Sequence, residues 1–253
     1  MTKISATILT YNEVGSIEGC LESLRDIADE IIVVDSGSTD STLDICRRYG
    51  CKISQRELAG FGAQRQYATS LTTHSYVLAI DADEELSPAL RRSLIELKTQ
   101  GLTHRVYAFS RLNFYCGFAV RHCGWYPDTQ IRLFDKRYAN WNLRDVAERV
   151  IFRDSVRPSH IEGDILHYRC RTPNEYRDTL MAQADIKARV IAAGAQTVSP
   201  LTPRLRAIRA FLSTYLRHGG ILDGSIGLAI SKTQACATRH AYAHARKLLK
   251  QHT

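Results

Sequence analysis

No apolar run in this chain of 253 residues approaches the length needed to cross a bilayer, and the opening MTKISATILTYNE reaches polar residues too soon for a signal peptide. Both absences predict a protein that is neither secreted nor membrane-spanning. Its seven cysteines (Cys20, Cys46, Cys51, Cys116, Cys123, Cys170, Cys236) form no C-x-x-C pair and no His-spaced zinc pattern, so they are expected to be reduced, mostly buried thiols in a cytosol. Neither G-x-G-x-x-G nor G-x-x-x-x-G-K-[ST] follows the first apolar strand, which counts against dinucleotide and P-loop chemistry. Internal repeats and low-complexity tracts are also missing. Acid is nearly absent from the tail: from Leu201 onward Asp223 stands alone against nine Lys/Arg, whereas the first 200 residues balance 25 basic residues with 25 acidic ones. The net charge of +8 therefore sits in the tail, and a neutral body with a basic tail predicts an anionic surface as partner. The basic residues lack interleaved aromatics or a nucleic-acid motif, which favours a membrane over nucleic acid.

What is present is an alternation. Apolar strands at residues 4–9, 31–34 and 76–80 are each followed by a helical pattern, at 17–24, 42–49 and 86–97. Such β-α-β units build a largely parallel sheet whose ligands sit beyond the carboxyl ends of the strands, where TYNE, DSGSTD and DADE all fall. From about Arg105 to Val150 the pattern is irregular, with strand-like VYAFSR and QIRLFD around the aromatic segment NFYCGFAVRHCGWYPD, and looks like an acceptor-side insertion. Helical patterns follow at 173–193, 203–218 and 225–249, broken at Gly219 and Gly220. The length suits one main domain with an appended element.

Asp81 and Asp83 alternate at the end of the strand 76–80, so both carboxylates point to one side. They would repel each other unless a cation sat between them, and Mg²⁺ or Mn²⁺ held with substrate phosphates fits that arrangement. DADEE also reads as an acidic loop leading into a helix N-terminus. DSGSTD is a well-made strand-to-helix turn, but turn-making does not require Asp35, a carboxylate able to accept from a ribose or a base N–H. Thr10, Tyr11, Asn12 and Glu13 read either as turn and cap or as a nucleotide-binding lip.

Taken in order, TYNE, DEIIVVDSGSTDST, GFGAQRQYA, DADE and GWYPDTQIRLF resemble glycosyltransferase family 2, and GWYPD with the late HY and GGILDGSIGLAIS is similar to the lipopolysaccharide inner-core β-glucosyltransferases of Gram-negative bacteria. The resemblance covers nearly the whole chain. It implies an α/β fold of the GT-A type, a Rossmann-like mixed sheet flanked by helices, with a C-terminal helical extension. Residues 1–170 would be catalytic (donor half about 1–100, acceptor half about 101–170), and 171–253 a basic, membrane-surface extension. The implied reaction is inverting transfer of a hexose, glucose in this family, from a UDP-sugar to a lipid-anchored core oligosaccharide, at the cytoplasmic face of the inner membrane.

By position in that family, Thr10, Tyr11, Asn12, Glu13 and Asp35 would hold the uridine, and Gln64 and Arg65 would line the donor site. Asp81 would approach the ribose and the metal, and Asp83 would ligate the ion, with His167 of ILHYR as a further ligand. Two carboxylates compete as general base, Asp128 in GWYPD and Glu148 in RDVAERV; Glu148 is favoured by its place between the metal triplet and the histidine. Ala147 stands where related sequences commonly carry histidine. A sugar nucleotidyltransferase would need a glycine-rich basic loop after the first strand, which TYNEVGSIEG is not, and a non-catalytic nucleotide-sugar-binding protein is the other alternative. In the tail, Leu205, Ile208, Leu212 and Tyr215 are predicted to share one helix face, with Arg206, Arg209, Ser213 and Arg217 opposite, as in a helix lying at an anionic lipid surface.

Overall fold

The computed structural model describes residues 1–144, 148–153, 155–194 and 197–251, and these fall into two compact units. One comprises Met1–Arg111 with Asp128–His167, the other Leu112–Pro127 with Tyr168–Thr253. Segment 112–127, within the sequence-defined acceptor half, thus groups with the C-terminal helices.

The first unit opens with β1 (Ile4–Thr10), α1 (Ile17–Ser23), β2 (Glu30–Asp35), α2 (Thr42–Arg48), β3 (Lys52–Gln55), α3 (Phe61–Ser70) and β4 (Tyr76–Asp81). β1 lies between β2 and β4 and runs parallel to both, and β3 adds beyond β2. A strand in that position is covered on both faces, which explains its burial along nearly its whole length. Ile4, Ala6 and Ile8 meet Ile17, Leu21 and Leu24 from α1 and its C-terminus in the largest apolar core. Registers of Thr10 against Asp35 and Leu9 against Asp81 bring the three polar strand ends to one edge.

Next come β5 (Glu84–Leu86), α4 (Pro88–Gln100), β6 (Val106–Tyr115), β7 (Phe118–Ala119), β8 (Asp128–Asp135), β9 (Ala139–Trp141), β10 (Val150–Phe152) and β11 (Ser159–Cys170). The main sheet has the order β3-β2-β1-β4-β8-β6-β11-β5 with β7 on β6, and β8 runs antiparallel to β4 and β6, which makes the sheet mixed. Glu84 and Glu85 do not start a helix. They open β5, where Glu84 stands opposite His167 of β11, and α4 begins only after Ser87, whose Oγ accepts from Leu90 N–H at 3.2 Å. Three residues of extended pairing outweigh an acidic helix start there, since Leu86 and Ile165 both reach the core.

α3 is held against β9 by close backbone approach. The Gly62 N–H donates to Arg144 O at 3.2 Å, and Gln66 Nε2 donates to Trp141 O at 2.8 Å. A Cβ on Gly62 would stand 2.2 Å from the Asn142 carbonyl oxygen. Arg65, one turn of backbone from this contact, lays its guanidinium over the Trp141 ring at 4.7 Å.

In the second unit β7 pairs with the last residues of β6, and α5 (Pro173–Gly194), α6 (Thr202–Leu212) and α7 (Gly224–Gln251) follow. A π-helical turn, Ser213–Arg217, extends α6, and a 3-10 turn, Gly220–Asp223, leads into α7. Gly219 at φ +68° makes the break that the paired glycines predict. Asp223, the tail's lone acid, accepts from the His122 backbone N–H at 3.0 Å and contacts its Nδ1 at 2.9 Å. Tyr115, Val120, Trp125, Tyr176 and Ile230 form this unit's core. All seven cysteines are free thiols, and among the described residues no helix is long and apolar enough to cross a membrane.

Gly62→Ala is expected to lower stability by roughly 1–3 kcal/mol, because the added methyl meets backbone that cannot rotate away. Gly194→Ala, where a Cβ meets nothing within 4 Å, is the comparator and should not destabilise. Urea unfolding of the two variants measures the difference.

Candidate active site

The loops after β1 and β2 are stitched together through side chains. Asn12, at φ +54°, takes the Thr39 N–H on its Oδ1 at 2.8 Å and donates its own N–H to Ser38 Oγ at 2.8 Å. The Glu13 N–H donates to Thr42 Oγ1 at 2.8 Å, and Tyr11 stays 58% exposed at the rim. Asp35 is fully buried and turned into its own loop, accepting from the Gly37 and Ser38 N–H groups at 3.0 Å and from Gln55 Nε2 at 3.2 Å. Its carboxylate shapes the strand-to-helix turn.

Two oxygens beside these loops have no such partners. Thr10 Oγ1 and Gln64 Oε1 are buried without a hydrogen bond among the described residues, although Gln64 Nε2 donates to Arg56 O at 2.9 Å. A buried polar atom left unpaired costs about 1–3 kcal/mol, so these two, at the end of β1 and on α3, could accept from a ligand's donors.

Beyond them runs a chain of alternating charge. Arg65 donates from Nε to Glu148 at 3.2 Å and from Nη2 to Asp81 Oδ1 at 2.7 Å. Arg132 Nη2 joins Asp81 Oδ2 to Glu84 Oε1, both at 2.9 Å. Arg111 then connects Glu84, at 3.0 Å, to Asp128 Oδ2, at 2.6 and 2.8 Å. Glu84 is wholly buried, and its Oε2 takes the Asp81 N–H at 3.0 Å. Burial by itself would raise the Asp81 pKa, but Arg132 and Arg65 hold that carboxyl far below the ordinary aspartate range. Burial likewise works to lower the Arg132 pKa, and Asp81 with Glu84 overcomes it and pushes the value up.

The structure therefore brings Arg65, Asp81, Asp128 and Glu148 into one network and places Asp83 with His167 beside it, Oδ2 lying 3.1 Å from Nε2. Each Asp81 oxygen accepts from an arginine, whereas Asp83 Oδ2 lies against His167 Nε2. Glu148 lines a cleft of about 420 Å³ with Gln130, Trp141 and Arg149, while Ala147 lies outside the described residues. Glu84, Arg111 and Arg132 escape the sequence reading. Their signal is an ionisable residue within an otherwise apolar strand, Arg132 between Ile131 and Leu133, which is rarely buried unless paired.

The family model for glycosyl transferase family 2 matches residues 5–157, more than half of the chain, and the chain belongs to that family. Its mixed sheet with flanking helices and a long C-terminal helix is a fold of the GT-A type. An uncharacterized glycosyltransferase of Rickettsia felis is 45% identical over 91 residues, 36% of this chain and 32% of that one. The chain thus spans about a third of the length of the Rickettsia relatives that it matches at 45% identity. The lipopolysaccharide core biosynthesis glycosyltransferase LpsC of Rhizobium meliloti is 26% identical over 259 residues, covering 98% of this chain and 93% of its own. Among solved structures, glucosyl-3-phosphoglycerate synthase of Mycobacterium tuberculosis, in complex with Mn²⁺, UDP and glucosyl-3-phosphoglycerate, is 27% identical over 45% of this chain and 44% of that chain, at TM-score 0.36.

Removing one charge from the network should weaken its partners. Arg132→Met is expected to cost roughly 3 kcal/mol at neutral pH, because half-buried Asp81 and buried Glu84 lose their shared guanidinium and keep one arginine each, Arg65 and Arg111. The Asp81 carboxyl is held low in the folded wild type, so its contribution is present above about pH 4 and is lost as pH falls toward the depressed value. In the variant that carboxyl takes up a proton more readily, so the gap to wild type should narrow in acid. Urea titrations at pH 7 and near pH 3 give both numbers; a gap independent of pH would mean that these carboxylates are not its cause.

Proposed function

We propose that this chain is an inverting, metal-dependent hexosyltransferase that moves glucose from a UDP-sugar to the inner core of lipopolysaccharide, working at the cytoplasmic face of the inner membrane. Membership of glycosyl transferase family 2 and the likeness to LpsC along nearly the whole chain support the reaction class and the acceptor. The observation that carries the reading is the Asp83–His167 pair set beside a buried, net-negative network. Glu148, Asp81, Glu84 and Asp128 carry four negative charges against the three of Arg65, Arg132 and Arg111, and Asp83 adds a fifth carboxylate. Counting these carboxylates and arginines alone, two negative charges are uncompensated, which suits one divalent cation.

In this reading Thr10 and Gln64 turn their unpaired oxygens to the nucleotide's N–H and hydroxyl donors. Asn12, Glu13 and Asp35 hold the rim in shape, and exposed Tyr11 covers it. Asp83 and His167 hold Mg²⁺ or Mn²⁺, which when bound would neutralise charge developing on the departing UDP. Asp81 acts through Arg65 and Arg132, fixing the floor on which the diphosphate rests. The base is Glu148. Asp128 is gripped by two Arg111 donors and by Gln130 Nε2 at 2.6 Å, whereas Glu148 takes one contact from Arg65 and faces the cleft, where an acceptor hydroxyl can reach it.

Asp83→Ala should abolish metal-dependent UDP binding in calorimetric titrations with Mn²⁺, with the thermal unfolding profile retained. Glu148→Gln should keep UDP affinity and lower kcat by about 10²- to 10⁴-fold, since a general base acts in the transition state. A folded Asp83→Ala that binds UDP and Mn²⁺ as wild type does would remove the metal assignment. Loss of turnover in Asp128→Asn alone would move the base.

The tail supports the membrane part of the proposal by a route that the sequence only half predicts. Leu205, Ile208 and Leu212 do share a face, and that face is exposed (63%, 57% and 46%), continuing to Leu201 at 61% and Leu216 at 56%. Tyr215 instead stacks on Phe211, ring centroids 5.3 Å apart, and Arg209 and Arg217 border the apolar groove rather than lying opposite it. Apolar side chains flanked by arginines match the boundary between acyl chains and anionic headgroups. Replacing Leu205, Ile208 and Leu212 together with Gln should release the protein from anionic vesicles at any salt concentration. Changing Arg206, Arg209 and Arg217 to Gln should weaken binding mainly at low salt. Co-sedimentation that is equal for wild type and both triple variants would exclude this helix as the contact.

A further inference from the structure

The second unit carries a cluster that sugar transfer does not use. His240 and His244 lie one turn apart on α7, and this i, i+4 spacing puts their side chains on one face. Asp185 of α5 lies against both, its Oδ1 at 2.8 Å from His240 Nε2 and 2.7 Å from His244 Nδ1. The three atoms lie within 4.8 Å of one another. The two imidazole rings stand 5.7 Å apart at 60°.

Packing beneath the cluster sets this distance. Ala184 of α5 and Ala237 and Ala241 of α7 are buried together, and Ala188 and Ala245 are wholly buried. Such small side chains let the helices approach closely enough for one carboxylate to reach two imidazoles on its neighbour. His240 is exposed and His244 and Asp185 are half-buried, so an ion can enter from solvent.

We propose that Asp185, His240 and His244 form a site for a transition-metal ion of the Zn²⁺ class, separate from the site for the divalent ion that serves the donor. Two imidazoles and a carboxylate are the ligands of a borderline-soft ion, whereas Mg²⁺ and Mn²⁺ favour oxygen-rich sets. Zn–N and Zn–O distances of about 2.0–2.2 Å place tetrahedral ligands about 3.3 Å apart. The present contacts need to open by only about half an ångström as the ion replaces the protons now shared between the imidazoles and the carboxylate, with water in the fourth position. The bound ion cross-links α5 to α7.

The test uses the full chain without a histidine tag, stripped with chelator and free of nucleotide, so that its outcome is independent of UDP binding. Zn²⁺ should raise Tm by several degrees with one equivalent bound, reversed by chelator, and Mg²⁺ should not. Co²⁺ should give the visible absorption of a tetrahedral nitrogen–oxygen site. Both signals should vanish in His240→Ala/His244→Ala, whose changes lie at the edge of the helix pair. They should persist in Cys236→Ser, which removes the exposed thiol one turn before His240, and in Asp83→Ala. Absence of both signals in wild type, their survival in the double histidine variant, or their loss in Cys236→Ser or Asp83→Ala overturns the assignment.

Discussion

The alternation of carboxylate and guanidinium from Glu148 through Arg65, Asp81, Arg132, Glu84 and Arg111 to Asp128 is the interaction on which the first unit's polar edge depends. Its centre sits where a lone charge could not. Glu84 is fully buried and Arg132 nearly so, and the desolvation of either alone would cost several kcal/mol. Pairing every acid with an arginine that also serves the next one meets that cost, and it fixes β4, β5, β6, β8 and α3 to each other by direction as well as distance. Apolar packing alone would tolerate a slip that directional, charge-assisted hydrogen bonds do not.

Strand ends in a parallel sheet are polar, and this fold gives two aspartates at that edge opposite tasks. Asp35 turns back into its own loop, where the Gly37 and Ser38 amides satisfy it, so its negative charge is spent locally. Asp81 turns toward the network and is satisfied by side chains from other elements. The next alternate residue, Asp83, is one-third exposed with a histidine as partner.

Much of this edge is legible in the sequence. Apolar runs and helical patterns place β1, β2, β4 and the helices α1, α2 and α4 to α7 within a few residues, because turn-forming polar clusters bound the strands and glycine or proline marks several helix ends. The motifs locate Asp81, Asp83, Glu148 and His167, four residues of the same region. The arginines that organise them are not found that way. Arg111 and Arg132 act through β6–β8 register and long side-chain reach, neither of which shows as spacing along the chain. Helix α3 is missed for a related reason: it starts at Gly60 without a side-chain cap and is held by tertiary contacts through Gly62 and Gln66. β5 is missed because three residues carry too little pattern to outweigh an acidic helix start.

The tail poses a question of magnitude. Charge placement alone suggests an electrostatic attachment, in which each arginine near an anionic surface contributes on the order of 1 kcal/mol before screening. The exposed stripe changes the balance. Burying a leucine or isoleucine side chain fully is worth about 1.5–3 kcal/mol, and five such residues at Leu201, Leu205, Ile208, Leu212 and Leu216 each keep roughly half or more of their surface exposed. Even partial immersion of that stripe exceeds what three or four screened arginines contribute. At a lipid surface the apolar term would then set how tightly the helix holds, and the arginines would set which lipid it prefers and how deep it sits. α6 packs its opposite side on α7, with Arg206 over the Tyr242 ring at 5.4 Å, so the outward direction of the stripe is fixed by the fold of the second unit and not by the membrane.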